Sequence, residues 1–192
     1  MPEEPSGGDP RNVLIVEAED SPEAIIVPCL DASHADRSRI DIETRMDLPA
    51  DLDRLKRLIE QRHIKFVTIN PFWDFVSGGI ARNEIVKTIL TPLADIAKQY
   101  DTAIVLALHV GKSTQYHDPI YSGLGATALV ASARTVLQVD ADPIPHDPHR
   151  KILRLVKTGR GSSQHTRPAL PEAGRGAASQ WRSDRWPQRK RI

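Results

Sequence analysis

Two short apolar runs that end abruptly in polar residues constrain this chain more than any other feature. They are Lys65–Asp74 (KFVTINPFWD) and Ala103–His109 (AIVLALH), and a helix-like stretch, Asn83–Gln99, lies between them. Strand, helix, strand with continuously apolar strands predicts a parallel sheet buried on both faces. In open parallel sheets chemistry collects beyond the carboxyl ends of the strands. Asn70, Asp74 and His109 occupy those ends and are the first candidates for function.

The other segments extend the pattern. Val13–Glu17 (VLIVE) reads as a strand, and Ser21-Pro22-Glu23 reads as the N-cap, first residue and acidic first turn of a helix running to about Ala32, kinked by Pro28. Ile40–Glu43 is a short strand. Asp51–Arg62 is an amphipathic helix with Leu52, Leu55, Leu58 and Ile59 on one face. Helix Asn83–Gln99 turns Ile85, Ile89, Leu93, Ile96 and Ala97 inward, with a kink at Pro92. Val110–Gly123 is a long polar loop of the kind that carries function. An Ala-rich helix over Gly125–Ser132, a strand over Ala133–Asp140 and an edge strand over Ile152–Lys157 follow. Apolar periodicity fades beyond Gly159, which predicts a disordered tail.

Composition narrows the class. Among 192 residues, 40% are apolar and 27% charged, which suits one globular core. No apolar run approaches the roughly 20 residues of a membrane span, so no membrane partner is expected. The N-terminal MPEEPSGGDPRN has no signal-peptide pattern, and the one cysteine, Cys29, excludes an internal disulfide. Both point to the cytoplasm. The net charge of +1 is unevenly placed: Arg167–Ile192 holds seven Arg/Lys and two Asp/Glu, so that tail is +5 and residues 1–166 are −4. An acidic body with a basic tail is not a nucleic-acid-binding core.

In order, the segments VLIVEAED, FVTINPFWDF, RNEIVKTILTPLADIAKQYDTAIVLALHVGKS, YSGLGATALVASARTVLQV and LRLVKTGRG resemble the RecA-like ATPases of the AAA_25 group, the RepA-type relatives of hexameric replicative helicases. The similarity covers roughly Arg11 to Gly161. It implies an α/β fold: a mainly parallel sheet flanked by helices, an incomplete RecA-like core lacking the P-loop strand. Residues 1–10 are then a disordered N-terminus, 11–161 the core and 162–192 a basic disordered tail. It also implies ATP hydrolysis with ATP and Mg²⁺ as cofactors, an oligomer of like or unlike RecA-like subunits, and a link to DNA replication or repair, with DNA as a candidate partner.

Site residues follow from the same resemblance. Glu19 stands where the family's catalytic Glu polarises water, His109 where a γ-phosphate sensor stands, and Arg134 resembles an arginine finger supplied to a neighbour. Lys157 and Arg160 match a late basic motif that reaches toward a neighbour's phosphates, and Lys112 joins them as a cofactor-binding candidate. The Walker B strand ends in Asp in the family; here the metal position is Asn70, a weaker ligand for a hard cation.

The chain departs from the family in one larger way: it has no G-x-x-x-x-G-K-[ST]. Gly111-Lys112-Ser113 has the last three letters, but Leu106 stands where the first Gly belongs. The family's P-loop lies upstream of the strand matching Val13–Glu17, so the chain reads as N-terminally truncated. Without backbone N–H groups and a Lys to cradle phosphates, the isolated chain is expected to bind ATP weakly or not at all. The alternative is a non-catalytic assembly or DNA-associated module that docks on a full-length ATPase and supplies Arg134.

Each candidate also has a plainer reading. Asp20 or Ser21 caps a helix, and Glu17 and Glu19 are solvated. Asn70 is a turn former before Pro71. His109 is structural, and Arg134 is half of an ion pair. Phe72, Trp73 and Phe75 either stack a base or cover the end of the core. His146 and His149 lack the further ligands of a metal site.

Overall fold

The computed structural model describes residues 9–77, 84–109, 126–141 and 151–159. The chain divides into two compact units, residues 1–110 and 111–192.

The first unit is a four-stranded, wholly parallel sheet. Its strands are β1 (Asn12–Glu17), β2 (Ile40–Glu43), β3 (Ile64–Asn70) and β4 (Ala103–Leu106), in the order β2-β1-β3-β4. Helix α1 (Val27–Ala32) connects β1 to β2, α2 (Leu52–Arg62) connects β2 to β3, and α3 (Thr91–Tyr100) connects β3 to β4. Each parallel pair needs such a crossover.

The expected proline kinks take a specific form. Pro28 and Pro92 each lie at the start of an α-helix, and each is preceded by a π-helical turn, Pro22–Ile26 and Val86–Leu90. The residue just before each proline donates five residues back, Val27 N–H to Pro22 O and Thr91 N–H to Val86 O. A proline has no N–H and its ring crowds the carbonyl of the preceding turn; widening that turn relieves the crowding without ending the helix. Ser21 caps the first of these as expected, its Oγ accepting from Ala24 N–H at 3.3 Å.

Register decides which face each strand residue occupies. Leu14, Val16, Val67 and Ile69 share one face and are at most 1% exposed; α2 lies against β3 and α3 against β4, and Leu55 and Ile59 of α2, Ile89 of the turn before α3, and Leu93 and Ile96 of α3 are buried as well. The other face carries Phe66 and Thr68 beside Ala103 and Val105, and there Phe66 is 38% and Val105 44% exposed. Burial on both faces, expected from the apolar runs, is therefore complete on one face only among the described residues. No residue of the Pro22–Ala32 helix is buried, so that helix does not seal the second face. The outer edge of β4 pairs with no strand among the described residues.

Polar contacts fix the strand ends opposite the site. Thr102, 5% exposed, donates its hydroxyl to Ile64 O at 2.8 Å. Lys65 Nζ donates to Tyr100 O at 2.8 Å, at the C-terminus of α3. Arg62 pairs with Asp41, and Arg54 with Glu43, tying α2 to β2.

In the second unit, α4 (Ala126–Ser132) precedes the antiparallel strands β5 (Thr135–Ala141) and β6 (Lys151–Thr158). Among the described residues β5 and β6 pair with each other as a two-stranded sheet. Leu137 pairs with Leu155 and Val139 with Leu153, and all four side chains are more than half exposed. Lys112, Arg160, Ser113, His146, His149, the loop predicted at 110–123 and the tail lie outside the described residues. No described helix is long and apolar enough to cross a membrane.

Candidate functional site

The connection from β1 goes to β2 on one side of the sheet, and the chain then crosses to β3 on the other. The carboxyl ends of β1 and β3 thus flank the point where strand order reverses, the place where open α/β sheets take ligands. Glu17 and Asn70 are the last residues of those strands and stand opposite each other in register. Asn70 Nδ2 donates to Glu17 Oε2 at 2.8 Å. The direction is set by chemistry, because an ionised carboxylate only accepts.

Glu17 is 6% exposed and is the organising group. Its Oε1 accepts from the backbone N–H of Glu19 at 3.0 Å and of Asp20 at 3.4 Å. Ala18 N–H donates to Asn70 O at 3.0 Å. Three N–H donors compensate the burial of this carboxylate and pin the turn that presents Glu19. Sequence reasoning left Glu17 as a solvated strand end. It closes the apolar run VLIVE on the same face as the half-buried Ile15, and no local signal tells that a carboxylate there is buried.

Glu19 and His109, assigned separately from segments ninety positions apart, meet: His109 Nε2 lies 3.1 Å from Glu19 Oε1. The carboxylate accepts, so Nε2 carries the proton in this arrangement. The side chains are 70% and 47% exposed for His109 and Glu19. Exposed ion pairs contribute about 0–1 kcal/mol at most, so stability does not account for the pairing. The end of β4 is brought there by backbone bonds: Ala107 N–H donates to Ile69 O and Phe72 N–H to Ala107 O, both at 2.9 Å. Phe72 and Phe75 are buried, at 0% and 3% exposed, so they cover the end of the core and offer no face to a base; Trp73 is half-buried against Phe72. Within range of Asp20, the Cys29 thiol is pushed above its ordinary value by burial and then by the charge of Asp20. It is held as the unreactive thiol.

Asn70, expected at a divalent-cation position, spends its amide on Glu17. Glu17 in turn has its oxygens committed to N–H donors, and Asn70 offers a neutral oxygen. Among the described residues no group of three or more His, Cys, Asp or Glu is placed to hold a metal ion. These residues do not fit Mg²⁺, a hard cation that favours carboxylate oxygens.

The basic candidates belong to the second unit. Lys157 Nζ donates to Val130 O at 2.8 Å and Ala131 O at 2.7 Å. These are carbonyls of the last turn of α4, where a cation also meets the negative end of the helix dipole. Lys157 is therefore engaged as a helix cap in this structure. Replacing it with methionine keeps the stem and removes the cap, and should cost about 1 kcal/mol; urea unfolding followed through α4 and the ribbon measures it, and an unchanged midpoint would reject the capping role. Arg134, just before β5, is exposed.

A family model described as an AAA domain matches residues 3–115, more than half of the chain. The chain is also similar to the chloroplastic stromal processing peptidase of Arabidopsis thaliana, 26% identical over 123 residues, which are 62% of this chain and 9% of that protein. The chain thus spans about a tenth of the length of that relative.

Proposed function

From the premise that this chain belongs to the RecA-like AAA ATPase family, we propose that it carries the hydrolysis side of an ATP site. Glu19 would orient and polarise the attacking water, and His109 would hold Glu19 in place and contact the γ-phosphate. The observation that carries this reading is the Glu19–His109 contact at 3.1 Å, beside the point where the strand order reverses. A base needs a partner that fixes its direction before substrate arrives, and an exposed pair with little value for stability suits that task. Asn70 serves the site by tying Glu17 to β3, and Glu17 holds the Glu19 turn. The same resemblance supports reading this activity as that of a RepA-type, helicase-related oligomer acting in DNA replication or repair.

The phosphate-cradling side is missing from this sequence, which contains no G-x-x-x-x-G-K-[ST]. Its 192 residues alone should therefore bind Mg–ATP weakly or not at all. Calorimetry on the purified chain, with Glu19→Ala and Arg134→Ala as controls, tests this. Heat of binding at micromolar affinity that both controls retain would overturn the assignment of these residues and the expectation of weak binding together.

A second reading, a non-catalytic module that docks on a complete ATPase and supplies an arginine finger, has its own observation. Arg134 is exposed and its guanidinium has no ion pair or hydrogen bond among the described residues. A finger must be uncommitted until a neighbour's phosphate arrives.

A further inference from the structure

The pairing of β5 with β6 sets Thr135 opposite Thr158. Arg134 and Gly159 are the next residues out on each strand and meet at the open end of the ribbon. A Cβ built on Gly159 would stand 2.6 Å from Arg134 Cγ, 3.1 Å from Arg134 O and 3.5 Å from Arg134 Cδ. Carbon atoms do not approach to the first of these distances without displacement. Gly159 does not have the left-handed φ that would itself demand glycine, so this glycine answers to space and not to backbone conformation. The space is filled by the methylene stem of Arg134.

Charge in this corner is divided unequally. Lys157, two residues before Gly159, has its ammonium on the α4 carbonyls. Arg134 has no side-chain hydrogen bond or ion pair among the described residues. A guanidinium presents a flat fork of donors suited to phosphate oxygens. A long arginine loses rotamer freedom when it binds an anion, and seating its stem beforehand lessens that loss.

We propose that Gly159 is a positioning residue for Arg134: the absent side chain is the slot that seats the Arg134 stem and aims its guanidinium at a polyphosphate anion. The inference rests on the reading of Arg134 as a phosphate-facing residue. Any side chain at position 159 would push the stem out and turn the fork away.

The test uses the full chain labelled at arginine nitrogen, with sodium tripolyphosphate as the probe. Wild type, Gly159→Ala, Arg134→Ala and the double variant are compared. Tripolyphosphate should move the Arg134 Nε–Hε resonance of the wild type. In Gly159→Ala that resonance should start at a different position, and the anion should bind about tenfold more weakly, the worth of one charge-assisted contact. The melting temperature should fall by roughly 5 °C in Gly159→Ala, as for an overpacked site. In the Arg134→Ala background, where the stem is gone, most of that fall should disappear. A generally disruptive alanine would lower the melting temperature equally in both backgrounds, and that result overturns the proposal. An Nε–Hε resonance and an affinity identical in wild type and Gly159→Ala overturn it as well. If the resonance responds to Gly159→Ala but not to tripolyphosphate in the wild type, the phosphate-facing reading of Arg134 is what fails.

Discussion

Phe72→Ala should lower the unfolding free energy by about 3–5 kcal/mol, the range for emptying a fully buried aromatic site. Phe72 is 0% exposed and lies on the turn that follows β3. Its ring fills the core, and its N–H donates to Ala107 O at 2.9 Å while Ala107 N–H donates to Ile69 O at 2.9 Å. One residue therefore closes the core and ties together the ends of the two strands that bring Asn70 and His109. Domains of this kind are stable by about 5–15 kcal/mol, so the loss is a large fraction of the total. Urea unfolding with an unchanged m-value measures it. A loss below about 1 kcal/mol would mean that the ring is not a core member. The His109 ring resonances give a second readout, because a loosened Phe72 turn should release the β4 end and separate His109 from Glu19.

Asn70→Asp should have the next largest effect, and its size depends on pH. The wild-type amide donates to the Glu17 carboxylate at 2.8 Å. Aspartate would replace that donor with a second acceptor and set two negative groups against each other at a half-buried position. At neutral pH the cost should be about 2–3 kcal/mol, from the lost charge-assisted bond and the repulsion. Two carboxyls so close share one proton and titrate as a pair. The upper step of the pair is raised above its unfolded value of about 4. The folded variant then holds a proton that the unfolded chain has released. Its stability relative to wild type is best below that unfolded value and falls as pH rises through the raised step.

The same pair of oxygens is a better seat for a hard cation than Asn70 and Glu17 are. Mg²⁺ at ten times its dissociation constant would restore about 1.4 kcal/mol to the variant and leave the wild type unchanged. Denaturation curves at acid and neutral pH, with and without millimolar Mg²⁺, separate these effects. A variant as stable as wild type at neutral pH would show that the Asn70–Glu17 bond is not part of the folded site. Stabilisation of the wild type by Mg²⁺ would show that the native pair already holds the ion.

The strands, the helices and their order were readable because burial imposes periods of 2 and 3.6 on the residues that must be apolar. Leu55 and Ile59 on α2, and Ile89, Leu93 and Ile96 at the third helix, follow that rule and are all buried. Ser21 was readable as a cap because a hydroxyl just before a proline-led helix start has one obvious donor to serve. Glu19, His109 and Arg134 were nominated by resemblance, not by spacing, since no local pattern links positions 19 and 109. The role of Glu17 was not readable at all. A carboxylate that ends an apolar strand is solvated or buried according to what stands on the next strand, and here that neighbour is Asn70, fifty-three positions away.

What the amino-acid order by itself determined is the α/β alternation, the apolar faces of the helices and the polar character of the strand ends. These are local properties, set by side-chain chemistry and backbone period. Only the tertiary structure decided that one face of the sheet is the better covered among the described residues, that β5 pairs with β6, that Lys157 caps α4, and that Glu19 meets His109. Each of these depends on which strand lies beside which. That is a matter of non-local hydrogen bonding and packing, which one strand's sequence does not encode, because an apolar run is equally suited to a covered face, an open face or an edge.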